Sequence, residues 1–366
     1  MWRINMTNRD ILIWLNSISG IGNKTINKLY NYFENLTDLW NLSNNDIMKL
    51  SFLRSNVKSN IIKFKNSIYY DDIINKANDN NIEIITILDS NYPLKLKNIY
   101  DPPNVLYCKG NIELLNKLSI AIVGSRKATY YGKWVAEKLS KELSEYSICI
   151  VSGMALGIDA IAHKGAIDKN GSTIAVLGSG VDKAYPKTNT MLYDNICEKG
   201  LVISEFPIGM KPVAGNFPLR NRIISGLSSG ILVIEAKERS GSLITAYHAL
   251  DQGKDVFAVP GNINSIYSKG TNLLIKDGAK IITCLEDILE EIIEINSISK
   301  EKKMNYDNLS DKEIMVLKSI ENGPIHSDMI AYNTEINIIE LTSILTILEM
   351  KNKIKALPGK IFTVVN

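Results

Sequence analysis

The stretch "LSIAIVGSRKATYYGKWVAEKLSKELSEYSICIVSG", residues 118–153, decides how this chain folds. It opens on a nearly continuous apolar run that stops at Gly124, passes through a helical segment, and closes on a second run ending at Gly153. Apolar residues at almost every position, instead of every second one, mark a strand covered on both faces. Two such strands separated by a helix make a crossover unit that pairs them in parallel. The pattern recurs downstream in "STIAVLG" (172–178), "LVISEF" (201–206), "GILVIEA" (230–236), "DVFAVPG" (255–261) and "KIITC" (280–284). Helical segments such as "SLITAYHALDQG" (242–253) lie between them. Alternation sustained this far predicts a doubly wound, mostly parallel α/β sheet. Upstream, "IEIITIL" (82–88) and "NVLYCKG" (104–110) are expected to extend that sheet.

The flanks read differently. Residues 1–75 are helical, with a Gly-Ile-Gly turn at 20–22, and resemble either a SAM-like module or a helix–hairpin–helix; the α/β domain then runs over 76–294. Polar, charged residues at 295–308 read as a linker. Residues 309–366 begin with Ser310 and Glu313 spaced as a capping box, continue through further helical segments, and end in a hairpin around Pro358-Gly359. Three helices and a terminal hairpin predict a winged-helix-like unit. Its last helical stretch, "INIIELTSILTILEM" (336–350), holds two glutamates and no cation before Lys351, so duplex reading is not expected of it.

Composition narrows the class. The chain has 366 residues, 45% hydrophobic and 22% charged, an ordinary globular balance. Its net charge of +3 permits a nucleic-acid partner without demanding one. No apolar run approaches the roughly 18 residues of a membrane span, and "MWRINMTNRD" is no signal peptide. A cytoplasmic protein without membrane insertion is expected. Cys108, Cys149, Cys197 and Cys284 form no C-x-x-C pair, and His163, His248 and His326 lack a second ligand at metal spacing, so no metal is expected.

Ligands of an open parallel sheet bind beyond the carboxyl ends of its strands. The residues there are small or cationic: Gly124, Ser125 and Arg126; Ser152 and Gly153; Gly178, Ser179 and Gly180, with Lys187 beyond; Asn216, Phe217, Arg220, Asn221 and Arg222; Ser240, Gly241 and Ser242. Convergent glycines, hydroxyls and cations suit phosphate. Only seven of the 42 basic residues are arginine, yet Arg220 and Arg222 stand two apart. That spacing gives them different helix faces. One is expected to meet phosphate and the other to pair with Glu205 or Glu235. Asp159 and His163, four apart, either pair on a helix face or hold separate structural places. No dinucleotide or P-loop fingerprint completes itself, so no cofactor is expected.

In order and spacing, "VGSR" (123–126), "SGMALGIDAIAH" (152–163), "GSGVDKAYPKTN" (178–189), "EFPIGMKPVAGNFPLRNRIISGLS" (205–228), "SGSLITAYHALDQGKDVFAVPG" (240–261) and "GTNLLIKDGA" (270–279) resemble the DNA-processing protein A (DprA/Smf) family. The resemblance implies an extended Rossmann-like domain that binds single-stranded DNA without sequence preference and forms a homodimer. It also implies a non-enzymatic role in competence and recombination: protecting incoming strands in natural transformation and loading RecA recombinase onto them. Carried over, Arg126 and Lys187 match DNA contacts, and "RNR" supplies Arg220 and Arg222. Leu156 stands where the family usually has a basic residue. Dimer contacts are expected late in the domain, at Leu274 and Ile275. The alternative is a nucleotide-processing enzyme resembling nucleoside-monophosphate phosphoribohydrolases, but "SGSLITAYHA" lacks the glutamate those proteins place there.

Overall fold

The computed structural model describes residues 6–292, 309–320, 324–351 and 353–364. The chain divides into two compact units, 1–301 and 302–366. The linker expected at 295–308 lies outside the described residues.

The first unit opens with six helices: α1 (Asn8–Ser17), α2 (Asn23–Tyr32), α3 (Leu36–Asn41), α4 (Asn44–Lys49), α5 (Ser55–Phe64) and α6 (Ser67–Asp79). Then come β1 (Glu83–Thr86), α7 (Leu94–Lys97), β2 (Val105–Gly110), β3 (Ser119–Val123), α8 (Tyr130–Glu145), β4 (Cys149–Ser152) and α9 (Ile158–Asp168). The unit continues with β5 (Thr173–Val176), α10 (Thr190–Lys199), β6 (Leu201–Ser204), α11 (Asn216–Leu227) and β7 (Gly230–Val233). It closes with α12 (Gly241–Asp251), β8 (Asp255–Ala258), α13 (Lys269–Lys276), β9 (Lys280–Ile281) and α14 (Glu286–Leu289).

Nine strands form one sheet in the order β1-β2-β6-β5-β4-β3-β7-β8-β9. From β6 to β9 every pairing is parallel, while β1 and β2 are antiparallel additions at one end. Every apolar run of the alternating pattern is a strand of this sheet. Burial on both faces explains their composition: on β3, Ala121 and Val123 join one core, and Ile120 and Ile122 the other. Each Val or Ile among them contributes about 1.5–3 kcal/mol when fully buried. Helices α7, α11, α12 and α13 cover the first face, and α8, α9 and α14 cover the second.

The helical start is not separate from this sheet. The boundary expected at residue 75 falls inside α6, and α1–α6 share one core with Ile84, Val105, Tyr107, Ala175 and Val202 of the strands. Without these helices the added strands β1 and β2 would leave one apolar face in water. The Gly-Ile-Gly turn serves the same packing. Asn23, in the first turn of α2, donates to Asp101 Oδ1 at 2.6 Å and to the Pro102 carbonyl at 2.8 Å. The end of that helix therefore faces the loop before β2.

The second unit has helices at Asp311–Ile320, Ser327–Thr334 and Ile338–Met350, with a three-stranded sheet of Ile325–His326, Ile354–Leu357 and Ile361–Val364. The capping box forms: the Ser310 N–H donates to Glu313 at 2.7 Å, and the Glu313 N–H donates to Ser310 Oγ at 3.3 Å. Lys351, the first cation after the last helix, pairs with Glu313 at 2.7 Å.

Candidate nucleic-acid interface

The direction of winding reverses between β3 and β7, which are neighbours in space and far apart in sequence. Helices on either side of such a switch point leave opposite faces, so a crevice opens between the loops after the two strands. Here it is a cleft of about 630 Å³. Its walls are the loops 124–127 after β3 and 237–242 after β7, with the start of α11 as the third side. Arg126, Lys127, Lys237 and Arg239 line it and are solvent-exposed.

An aromatic pair stands at the rim. The rings of Tyr185 and Phe217 are 5.4 Å apart and tilted by 32°. The Arg126 guanidinium lies 5.8 Å from the Phe217 centroid, within cation–π range. Lys187 is exposed two residues beyond Tyr185.

The cleft floor is rigid and buried. Arg220 is 4% exposed, donates to the carbonyls of Gly153 and Val176, and bonds Asn221 Oδ1 at 3.2 Å. It thereby ties the ends of β4 and β5 to α11. Burial pulls its pKa down to about 10, Asp159 nearby working the other way, so it stays protonated at neutral pH. Gly153 is required for this contact, because a Cβ there would sit 2.5 Å from the guanidinium. Gly157 is required for a second reason: its φ is +77°, and a Cβ would meet the Ser125 carbonyl at 2.3 Å.

Asp159 sits in the first turn of α9, with the backbone N–H groups of Gly124, Gly153 and Ala155 and the Arg220 guanidinium around its carboxyl. Burial pushes its carboxyl pKa up, against the pull of Arg220 and those donors. His163 does not pair with it. Its Nδ1 lies 2.6 Å from Thr173 Oγ1, and burial pushes the ring's pKa down to about 3, so the ring is neutral at physiological pH.

The second arginine of "RNR" belongs elsewhere. Arg222 grips Glu205 with two bonds of 2.6 and 2.7 Å, and its Nε donates to the Asp101 carbonyl at 2.9 Å. It is buried and does not line the cleft. Glu235 pairs with neither arginine: it accepts from the N–H and hydroxyl of Thr129, which caps α8.

Of the expected contacts, Gly124, Ser125, Arg126, Phe217, Arg220, Asn221, Ser240, Gly241 and Ser242 converge on the cleft. Ser152, Gly153, Gly178, Ser179 and Gly180 are buried below it, and none of them, nor half-buried Asn216, lines it. The reason is the switch point: loops after β4 and β5 lie to one side, where Arg220 covers Gly153 and Phe217 packs over Gly178. One arginine of the pair is expected on a phosphate and the other on Glu205 or Glu235. Arg222 does pair with Glu205, while Arg220 is buried at the cleft floor with its donors on the Gly153 and Val176 carbonyls.

A family model described as DNA recombination-mediator protein A matches residues 83–293, and a DprA winged helix domain matches 300–360. The DNA processing protein DprA of Streptococcus pneumoniae is 42% identical over 273 residues, covering 75% of this chain and 94% of that one. The chain belongs to the DNA-processing protein A family. Within the family, the X-ray structure of the S. pneumoniae protein superposes with a TM-score of 0.69 at 39% identity, covering 79% of this chain and 99% of that one. DNA processing protein A from Helicobacter pylori, described for its single-stranded DNA binding mode, gives a TM-score of 0.53 at 33% identity over 61% of this chain and 98% of its own.

Three exposed cations of the cleft in this chain, Lys127, Lys237 and Arg239, are not among the contacts expected from the sequence. Lys127 follows Arg126 directly, and "KERSGS" follows a strand, so position after a strand was the available signal. Leu156 is exposed in the loop after β4. Leu274 is core: it is 3% exposed and packs with the α11–α12 face, while Ile275 is half-buried against the same core. On α13 it is Leu273 that faces outward. Among the described residues no helix is long and apolar enough to cross a membrane.

Proposed function

We propose that this protein binds single-stranded DNA through the switch-point cleft, without sequence preference. One observation carries the reading: exposed Arg126, Lys127, Lys237 and Arg239 surround a cleft whose rim bears the Tyr185–Phe217 pair. Cations that hold a backbone beside rings that stack bases are what a single strand needs, and neither element reads base identity. Among the described residues Asp159 is the one carboxylate lining the cleft, and no second carboxylate, histidine or cysteine stands with it to complete an acid–base or nucleophilic pair. The enzymatic alternative is therefore less favoured than a binding function. The relative whose description names single-stranded DNA binding shares this fold over most of its length.

The test is a titration of oligonucleotides over a range of salt. Single strands should bind more tightly than a duplex of equal length. If four or five cations neutralise phosphates, log affinity should fall against log salt with a slope of roughly −3. Equal binding of duplex, or a flat salt response, would sink the reading.

Protection of incoming strands in natural transformation and hand-over to RecA belong to this reading, as does a cytoplasmic location. Both roles presuppose strand binding, so the same titration tests them first. A homodimer also belongs to it. Its apolar contacts would come from Leu273 on α13 and Ile281 on the edge strand β9, which are exposed. Leu273→Glu should sediment as a folded monomer; a dimer unchanged by it places the contact elsewhere. Leu274→Glu, in contrast, should fail to fold, because it buries a charge in the core.

A further inference from the structure

The first five residues of α8 carry three exposed aromatic rings. Tyr130 is 92% exposed, Tyr131 51% and Trp134 59%. Water-facing rings at this density are uncommon on a helix whose opposite side is fully packed, and a Trp is seldom left outside without a partner. Tyr131 and Trp134 lie 6.5 Å apart with planes tilted by 30°. Lys133 stands 5.5 Å from the Tyr130 ring and Lys138 stands 5.5 Å from that of Trp134. The rings are thus interleaved with cations.

Their placement along the helix is uneven. From Arg126 to Ala136 the chain holds Arg126, Lys127 and Lys133 and no carboxylate. Beyond that point the outward face turns to paired charges, Glu137 with Lys141 and Lys138 with Glu142. The aromatic, basic part is therefore the part next to the strand ends. It is joined to the cleft wall by two residues, 128 and 129, and Glu235, just after β7, holds the cap at Thr129. A helical side chain also leans toward the N-terminus of its helix, which carries Trp134 toward the cleft.

We propose that this face of α8 is a second stacking platform, on which a single strand leaving the cleft past Lys127 continues and lays its bases on Trp134 and Tyr131. The occupant is single-stranded nucleic acid because the patch combines flat rings with cations and lacks a carboxylate before Glu137; a purely apolar partner would leave Lys127 and Lys133 unanswered. This inference rests on the strand occupying the cleft. It goes further in assigning a longer site and a separate set of residues.

Strand length separates the two. The full chain is titrated with oligothymidine of about 5 and about 20 nucleotides, chosen against single-strand site sizes of roughly 4–16. Trp134→Ala should weaken the long strand about tenfold, the worth of one base stack, and leave the short one unchanged. Trp134→Phe should restore most of the loss. The long strand should also change tryptophan emission in the unaltered protein, and most of that change should be lost in Trp134→Phe, since Trp14 and Trp40 pack together in the core of the first helices. If Trp134→Ala binds the long strand normally, or weakens both strands alike, the platform is refuted. If Arg126→Ala leaves both strands unaffected, the cleft reading fails instead.

Discussion

Arg126→Ala combined with Lys187→Ala is expected to lower the affinity for single-stranded DNA by about 100-fold or more while leaving the fold intact. Both side chains are exposed: Arg126 lines the cleft on the loop after β3, and Lys187 stands outside its lining, two residues beyond the rim residue Tyr185. A charge-assisted bond to phosphate contributes about 1.5–3 kcal/mol, so two lost together reach at least about 3 kcal/mol. The salt slope should flatten by about 1.4, two phosphates at roughly 0.7 each on a single strand. Arg126 has a second role, because its guanidinium sits over Phe217 and helps hold that ring beside Tyr185. Arg126→Lys should therefore recover part of the affinity and not all of it, since an ammonium lacks the planar fork. Thermal unfolding should move little, as exposed substitutions of this kind shift stability by less than about 0.5 kcal/mol. A gel shift unchanged in the double variant would remove the cleft from consideration as the binding site.

The opposite behaviour is expected of the buried pair. Glu205→Ala should cost about 3 kcal/mol of stability, because it takes from buried Arg222 its two-bond partner and leaves the guanidinium only the Asp101 carboxylate at 3.3 Å and two backbone carbonyls. Two bonds to one carboxylate, and a third to the Asp101 carbonyl, are all made inside the protein. Arg222→Lys should be nearly as damaging: one ammonium cannot reproduce three bonds fixed in a plane. Replacing both residues with apolar ones of similar volume should recover much of the loss, since that removes the stranded charge along with its partner. Urea unfolding of the three variants measures this, and a loss below about 1 kcal/mol in Glu205→Ala would mean that the pair is not a structural tie. The neighbouring arginines thus part company from the groove cations. Arg126 should affect DNA and not stability, and Arg222 stability before DNA.

The sheet was legible because its signal is local and repeated. An apolar run that ends at Gly124 or Gly153 reports its own burial, and seven such runs in alternation with helices admit few other folds. The added strands β1 and β2 were legible for the same reason. The first 79 residues were less so. Their helices could be read, but nothing local shows that Trp14 and Ile26 share a core with Tyr107 and Val202. The residue on α13 that faces outward also escaped reading, because Leu273, Leu274 and Ile275 are all apolar and only packing distinguishes them.

The sequence by itself determined the parallel α/β fold, the winged-helix-like tail with its Ser310–Glu313 cap, and the gathering of small and cationic residues at strand ends. It also determined why arginine appears in "RNR": both positions need several directed bonds from one side chain. Only the tertiary structure decided where those bonds go. The reversal of winding between β3 and β7 opens the cleft at that pair of strands and closes it over β4 and β5. Arg220 and Arg222 are thereby turned inward as ties, and Arg126, Lys127, Lys237 and Arg239 are left facing solvent. Which end of a long side chain meets water is settled by neighbours far away in sequence, and no local pattern encodes it.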